Sequence, residues 1–218
     1  MLGIVVAMQN EADVLLKQSV IRSQETSLGK TLIRASFRSI EYLLAISGVG
    51  KVNAAAATML VLSQGATRIL NFGVAGGIAP DKKIGCVFQI EKAAEADFDL
   101  SAINHTAVGT HNEREQPFFF LQCRANAFEK GIVASADRFV CDPDELPAVS
   151  QLGASICEME GAAIAHVAWS ANVPCSMFKA ISDNANETSV RDYSRNCQTA
   201  LDNLGSRMQE IFTEVFYE

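Results

Sequence analysis

Apolar residues occur along this chain in short unbroken runs, separated by stretches where they recur every three or four positions. The first run, "GIVVAM", reads as a strand, and "NEADVLLKQ" after it as a helix. "LIRASF" and "YLLAISG" form a strand pair around a turn at "RSIE". "KVNAAAATMLVLSQG" is a helix that ends at Gly65, and "TRILNFGV" is a nearly continuous apolar strand. "GCVFQIEKAAEAD" gives another strand, and from Phe98 to Lys130 no clear period emerges. Then come a strand in "GIVASAD", a short helix in "DELPAVSQLG", a strand in "ASICEM", a helix in "GAAIAHVAWSANV" and a strand in "CSMFKAISD". Arg191 to Phe216 reads as one long amphipathic helix. Strands that are apolar on both sides and alternate with helices predict an α/β fold, with helices covering both faces of the sheet. No linker-like segment and no repeat interrupts the pattern, so one domain over residues 1–218 is expected.

Composition narrows the function. At 218 residues the chain is long enough for one sizeable core. Its 49% apolar and 20% charged residues exclude a disordered class. A net charge of −7 argues against nucleic acid, whose phosphates need clustered Lys and Arg. No apolar run approaches the ~20 residues that span a bilayer, so no membrane partner is expected. "MLGIVVAMQNEADVLL" lacks a positive start and meets an acid at Glu11, which suits a first strand and not a signal peptide. The six cysteines are scattered and form no C-x-x-C pair, as expected of free thiols in a reducing cytoplasm. The three histidines stand at no ligand spacing to them, so neither a metal nor a cofactor is expected.

In α/β sheets ligands bind beyond the carboxyl ends of strands. Here those ends carry Met8 with Glu11, "SGVGK", "GVAGG", "DRFV", "EME" and "SDNA". Acids, glycines and one aromatic therefore gather where a site would form. Glu158 and Glu160 are the unexpected pair, because two carboxylates precede a buried, alanine-rich helix. Taken alone, they read as first-turn acids favoured by the helix dipole.

Six stretches in this order, "GIVVAMQNEADVLL", "SGVGKVNAAAATMLVL", "NFGVAGGIAP", "SADRFV", "EMEGAAIAHVAWSANVP" and "KAISDNA", resemble the nucleoside phosphorylase/hydrolase superfamily. The closest resemblance is to 5′-methylthioadenosine/S-adenosylhomocysteine nucleosidases. It covers nearly all of the chain except about Phe98 to Lys130. It implies a three-layer α/β/α fold with a mixed central sheet, no cofactor, a nucleoside substrate and a cytoplasmic homodimer. By the same resemblance Asp183 protonates N7 of the adenine with Ser182 positioning it, and Glu11 activates water. Glu160 binds the ribose diol beside Met159, and Glu158 lies in the same turn. Phe139 stacks on the purine, and Val140 reads its edge through backbone groups. Met8, Val49 and Tyr193 flank an apolar 5′ group.

Two positions depart from the pattern. Val74 stands where a Ser or Thr hydroxyl usually helps to hold water or phosphate, and Lys179 stands where many bacterial members have Arg. With Lys179, Glu11 is expected to hold the water. Loss of the hydroxyl and of the planar guanidinium weakens any phosphate site, so hydrolysis is expected over phosphorolysis. A phosphorylase, a hydrolase of another 5′-modified nucleoside such as futalosine, and a non-catalytic nucleoside-binding protein remain the alternatives.

Overall fold

The computed structural model describes residues 1–78, 83–123, 128–142, 144 and 146–216. The Ala79–Pro80 end of "NFGVAGGIAP" and Glu145 of the predicted short helix lie outside the described residues. In chain order the elements are β1 (Leu2–Val6), α1 (Gln9–Leu16), β2 (Val20–Ser27), β3 (Lys30–Phe37), β4 (Ile40–Ile46), α2 (Lys51–Ser63) and β5 (Arg68–Gly77). There follow β6 (Val87–Glu95), α3 (Ser101–Asn104), β7 (Phe119–Phe120), β8 (Glu129–Ser135), α4 (Pro147–Gln151) and β9 (Ile156–Glu158). The chain closes with α5 (Gly161–Ser170), β10 (Cys175–Asp183), α6 (Ser189–Ser206) and α7 (Met208–Phe216).

The strands form one mixed sheet. β1 lies parallel between β4 and β5, and β4, β3 and β2 continue it as an antiparallel meander. The unbroken apolar runs are explained by burial on both faces. Along β1, Ile4 and Val6 pack against Ala12 and Leu15 of α1 and against Leu201, Leu204 and Phe212 of α6 and α7. Val5, on the other face, packs with Ala54 and Ala57 of α2 and Ile164 of α5. Ile4, Val5 and Val6 are fully buried, and each side chain so placed contributes about 1.5–3 kcal/mol. The predicted helix–sheet–helix layering is present here.

The other end of the sheet rolls up, which the layered expectation did not contain. β5 pairs with β10, β10 with β6, β6 with β8, β8 with β9, and β9 again with β5, so these five strands close into a ring.

Three element predictions need correction. β2 has no counterpart among the expected elements, because nearly all its residues are exposed and no apolar period marks it. The predicted tail helix is two helices broken at Arg207, whose N–H turns back to Leu204 O (3.1 Å) and whose guanidinium lies 3.9 Å from the Phe128 ring centroid. "GVAGG" does not follow the strand but belongs to it: Gly73 to Gly77 are the last five residues of β5.

Candidate active site

One cavity of about 490 Å³ is lined by residues at or just beyond the carboxyl ends of β1, β4, β5, β8, β9 and β10. It gathers Met8, Glu11, Val49, Val74, Phe139, Val140, Glu158, Met159, Glu160, Ser182, Asp183 and Tyr193. Of the residues expected from sequence, Lys179 alone is not on its wall. The cavity also presents Cys157, Arg138, Val190 and Ser194, which the sequence did not single out.

Glu11 sits in the first turn of α1 and is 4% exposed. Its Oε2 accepts the N–H groups of Ala7 (2.9 Å) and Met8 (3.0 Å), and its Oε1 accepts that of Val74 (3.0 Å). Burial pushes its carboxyl above the ordinary range, outweighing nearby Lys179 and the three backbone donors. A base so raised is better matched to neutral pH. Space for it comes from Gly73, where an added Cβ would lie 2.2 Å from Glu11 Oε1. Gly76 makes room for the second acid in the same way, since a Cβ there would lie 3.0 Å from Asp183 Oδ1. Three residues of strand separate these glycines, roughly 10 Å. The "GVAGG" glycines are the sequence signal for this close approach, and their residue type alone did not reveal which acids they admit.

Asp183 ends β10 and is 2% exposed. Ser182 Oγ donates to its Oδ2 (2.9 Å), and Ala185 N–H donates to its Oδ1 (2.9 Å). The carboxyl is thus fixed from both sides at the cavity wall.

The two glutamates of "EME" have different surroundings. Glu158 accepts hydrogen bonds from Ser135 Oγ, the Glu160 N–H (3.1 Å), the Gly161 N–H (2.8 Å to Oε2) and Lys179 Nζ (2.8 Å). Burial works against its charge, yet Lys179, Ser135 and Gly161 together hold the carboxyl below the ordinary range. With both oxygens occupied, Glu158 serves as the counter-ion of Lys179 and the anchor of the α5 N-terminus. Ser135, which also accepts the Ala162 N–H (2.8 Å), is a functional neighbour that sequence reasoning passed over inside "SADRFV". Glu160 Oε1 accepts one hydrogen bond, from Gly50 N–H (2.7 Å), so the remaining lone pairs face the cavity. Burial, then Glu158 and Glu11, push its carboxyl up to about 7.

Lys179 is buried behind these acids. Burial opposes its charge, but Glu158, Glu11 and Glu160 outweigh burial and raise its pKa. Glu158 already neutralises the ammonium, so little positive charge is left here for an incoming anion.

At the open side Phe139 is 41% exposed and meets Tyr193 edge-on, with ring centroids 5.9 Å apart. Tyr193 Oη approaches Met8 Sδ (3.5 Å), which places Met8, Tyr193 and Phe139 side by side. Val140 is buried against Cys157 and Ala185. Exposed Phe139 is therefore not part of the core.

Among the described residues, no helix is long and apolar enough to cross a membrane. The 5′-methylthioadenosine/S-adenosylhomocysteine nucleosidase of Shewanella frigidimarina is 30% identical over 207 residues, covering 88% of this chain and 90% of its own. The aminodeoxyfutalosine nucleosidase of Campylobacter jejuni is 29% identical over 204 residues, covering 88% and 89%. The Helicobacter pylori 5′-methylthioadenosine/S-adenosylhomocysteine nucleosidase, solved in complex with a pyrrolidin-3-ol compound, superposes with a TM-score of 0.89 at 28% identity, over 98% of this chain and 97% of that one. The profile of the phosphorylase superfamily matches residues 1–216, and the chain belongs to that superfamily.

Proposed function

We propose that this protein is a single-domain nucleosidase that hydrolyses the N-glycosidic bond of an adenine nucleoside carrying an apolar 5′ group, such as methylthioadenosine or adenosylhomocysteine. The observation that carries the reading is the pair of buried carboxyls, Glu11 and Asp183, that a single cavity brings together beside Glu160. Glycosidic cleavage passes through an oxocarbenium-like state and needs a proton for the leaving group and an activated water. Asp183, held by Ser182 and Ala185, gives its proton to N7 of the base. Glu11 takes a proton from the water. The two acids stand against different glycines of β5, Glu11 at Gly73 and Asp183 at Gly76, so each is free for its own task.

Glu160 accepts the two hydroxyls of the ribose, and its charge strengthens both bonds as positive charge grows on the sugar ring. Phe139 covers the purine, and Val140 offers backbone groups to its edge. Met8, Val49 and Tyr193 supply an apolar wall that gains from burying an alkylthio group.

Hydrolysis is favoured over phosphorolysis by a specific arrangement. The Val74 N–H, a donor that a phosphate needs, is taken by Glu11, and Val74 adds no hydroxyl. Lys179 is engaged by Glu158, so the cation nearest the glycines is already neutralised. We also place the protein in the cytoplasm, in keeping with its free thiols, and as a homodimer, in keeping with exposed Val52 and Ile103.

The test is a panel of 5′-modified adenine nucleosides assayed for released base with and without phosphate. Adenine and a free sugar should appear in both conditions. Strict dependence on phosphate, with a sugar 1-phosphate as product, would replace hydrolysis by phosphorolysis. A futalosine-type nucleoside turned over in preference to methylthioadenosine would reassign the 5′ group. Tight binding of methylthioadenosine without adenine release would reduce the protein to a nucleoside binder.

A further inference from the structure

A second group of polar side chains lies apart from the cavity. Glu95 ends β6, His111 lies in the stretch between α3 and β7, and His166 sits on α5. Glu95 and His111 are 7% and 8% exposed. Glu95 Oε1 stands 3.1 Å from His111 Nε2 and 3.4 Å from His166 Nδ1. One ligand atom from each residue lies within 4.8 Å of the other two.

We propose that Glu95, His111 and His166 form a binding site for a divalent transition-metal ion of the zinc class, which clamps β6, the segment before β7 and α5 together. This goes beyond the nucleosidase reading and does not depend on it. Two imidazoles and one carboxylate suit Zn²⁺, Co²⁺, Ni²⁺ and Cu²⁺, and not the all-oxygen cations. The three donors converge before any ion arrives, and each is oriented from behind. The His111 ring stacks on Phe98 with centroids 3.9 Å apart at 17°. The His166 ring stacks on Phe119 with centroids 4.7 Å apart at 22°. The other oxygen of Glu95 accepts from Lys51 Nζ (3.0 Å), which leaves Oε1 for the ion.

His166 supplies a further sign. Its Nδ1 faces Glu95, and its Nε2 lies 3.6 Å from Glu113 Oε1. A carboxylate behind the far nitrogen of a ligating histidine fixes the tautomer and makes the near nitrogen a better donor. Lys51 adds a positive charge nearby, but Asp97 also pairs with it (2.5 Å), so its charge is shared.

The ion would hold α5, whose N-cap is Glu160, to the strand beside it. Its role is structural, because the three ligands leave the cavity wall to other residues. The spacing 95, 111 and 166 matches no metal motif, so the site is formed by the fold and not by a local pattern.

The experiment uses the full chain without a polyhistidine tag, stripped with chelator and titrated with Co²⁺ and Cu²⁺. One Co²⁺ per chain should bind and raise the thermal midpoint. The Cu²⁺ form should show an electron paramagnetic resonance spectrum with two coordinating nitrogens. His111→Ala and His166→Ala should each weaken binding on the order of 10²-fold or more, and Glu113→Gln by roughly 10–100-fold. Circular dichroism checks that the variants fold. If they do not, the wild-type nitrogen count decides. Absence of uptake by the wild type, an intense thiolate charge-transfer band from the cysteines, or unchanged uptake by both folded histidine variants would overturn the proposal.

Discussion

Replacing Glu160 with glutamine should make the free protein more stable and the enzyme worse. The Glu160 carboxyl is 8% exposed and sits beside two other acids, with a pKa of about 7 against an ordinary 4.5. A carboxyl raised on folding keeps its proton in the folded state at pH values where the unfolded chain has lost it. Folding is therefore progressively weakened as pH rises from 4.5 to about 7, and the full penalty applies above that. At about 1.4 kcal/mol for each tenfold step, the interval corresponds to a ceiling of about 3.5 kcal/mol. Glutamine removes the charge and keeps an oxygen for the Gly50 N–H. Water in the cavity reduces the gain, so we expect about 1–3 kcal/mol at pH 8 and close to none at pH 4.5. In a chain of this size that is a rise of roughly 2–12 °C in melting midpoint at pH 8. Urea unfolding of both proteins at the two pH values measures it. Turnover should fall on the order of 10²-fold or more, since a charge that stabilises the transition state is gone. A variant no more stable than wild type at pH 8, or one that gains equally at pH 4.5, would show that carboxylate crowding is not the cause.

Three further substitutions separate the roles of the neighbours. Asp183→Asn keeps an oxygen for the Ala185 N–H but has no acidic proton, so turnover should fall on the order of 10²-fold or more while calorimetry still detects nucleoside binding. Lys179→Ala strands Glu158 and Glu11 in the interior and should cost about 3–5 kcal/mol of stability, read by denaturant unfolding, with activity lost through misfolding first. Gly73→Ala puts a methyl group 2.2 Å from Glu11 Oε1, so turnover should collapse with far less change in nucleoside affinity, measured side by side.

Much of the site was legible because its residues follow strands that announce themselves. β1, β5 and β10 are buried on both faces, so their apolar runs are nearly continuous, and the polar residues that end them stand out. What local pattern could not show was which acid pairs with what. Glu158 and Glu160 look alike in "EME", and the difference comes from Lys179, twenty-one residues away on β10. Lys179 itself read as a wall residue, and the fold places it behind the wall. The stretch after Phe98 was opaque for a related reason. Its order comes from contacts with distant partners, such as the packing of His111 against His166 of α5, ring centroids 4.4 Å apart. The break at Arg207 was hidden because the apolar stripe continues from Leu204 to Met208 and Ile211 across it.

The closing of β5, β10, β6, β8 and β9 into a ring also bears on how the molecule behaves in a crowded solution. A sheet normally has two long open margins where a foreign strand can add, and here one of them is used up internally. Among the described residues the long margin left is β2, with Val20 and Ile21 more than half exposed. That margin is irregular: the register against β3 slips between Ile21 and Ser23, and Arg22 and Glu25 place opposite charges along it. A bulge and charges are the features that discourage strand addition, so resistance to aggregation in this fold is concentrated in a few residues of one outer strand, far in sequence from the chemistry.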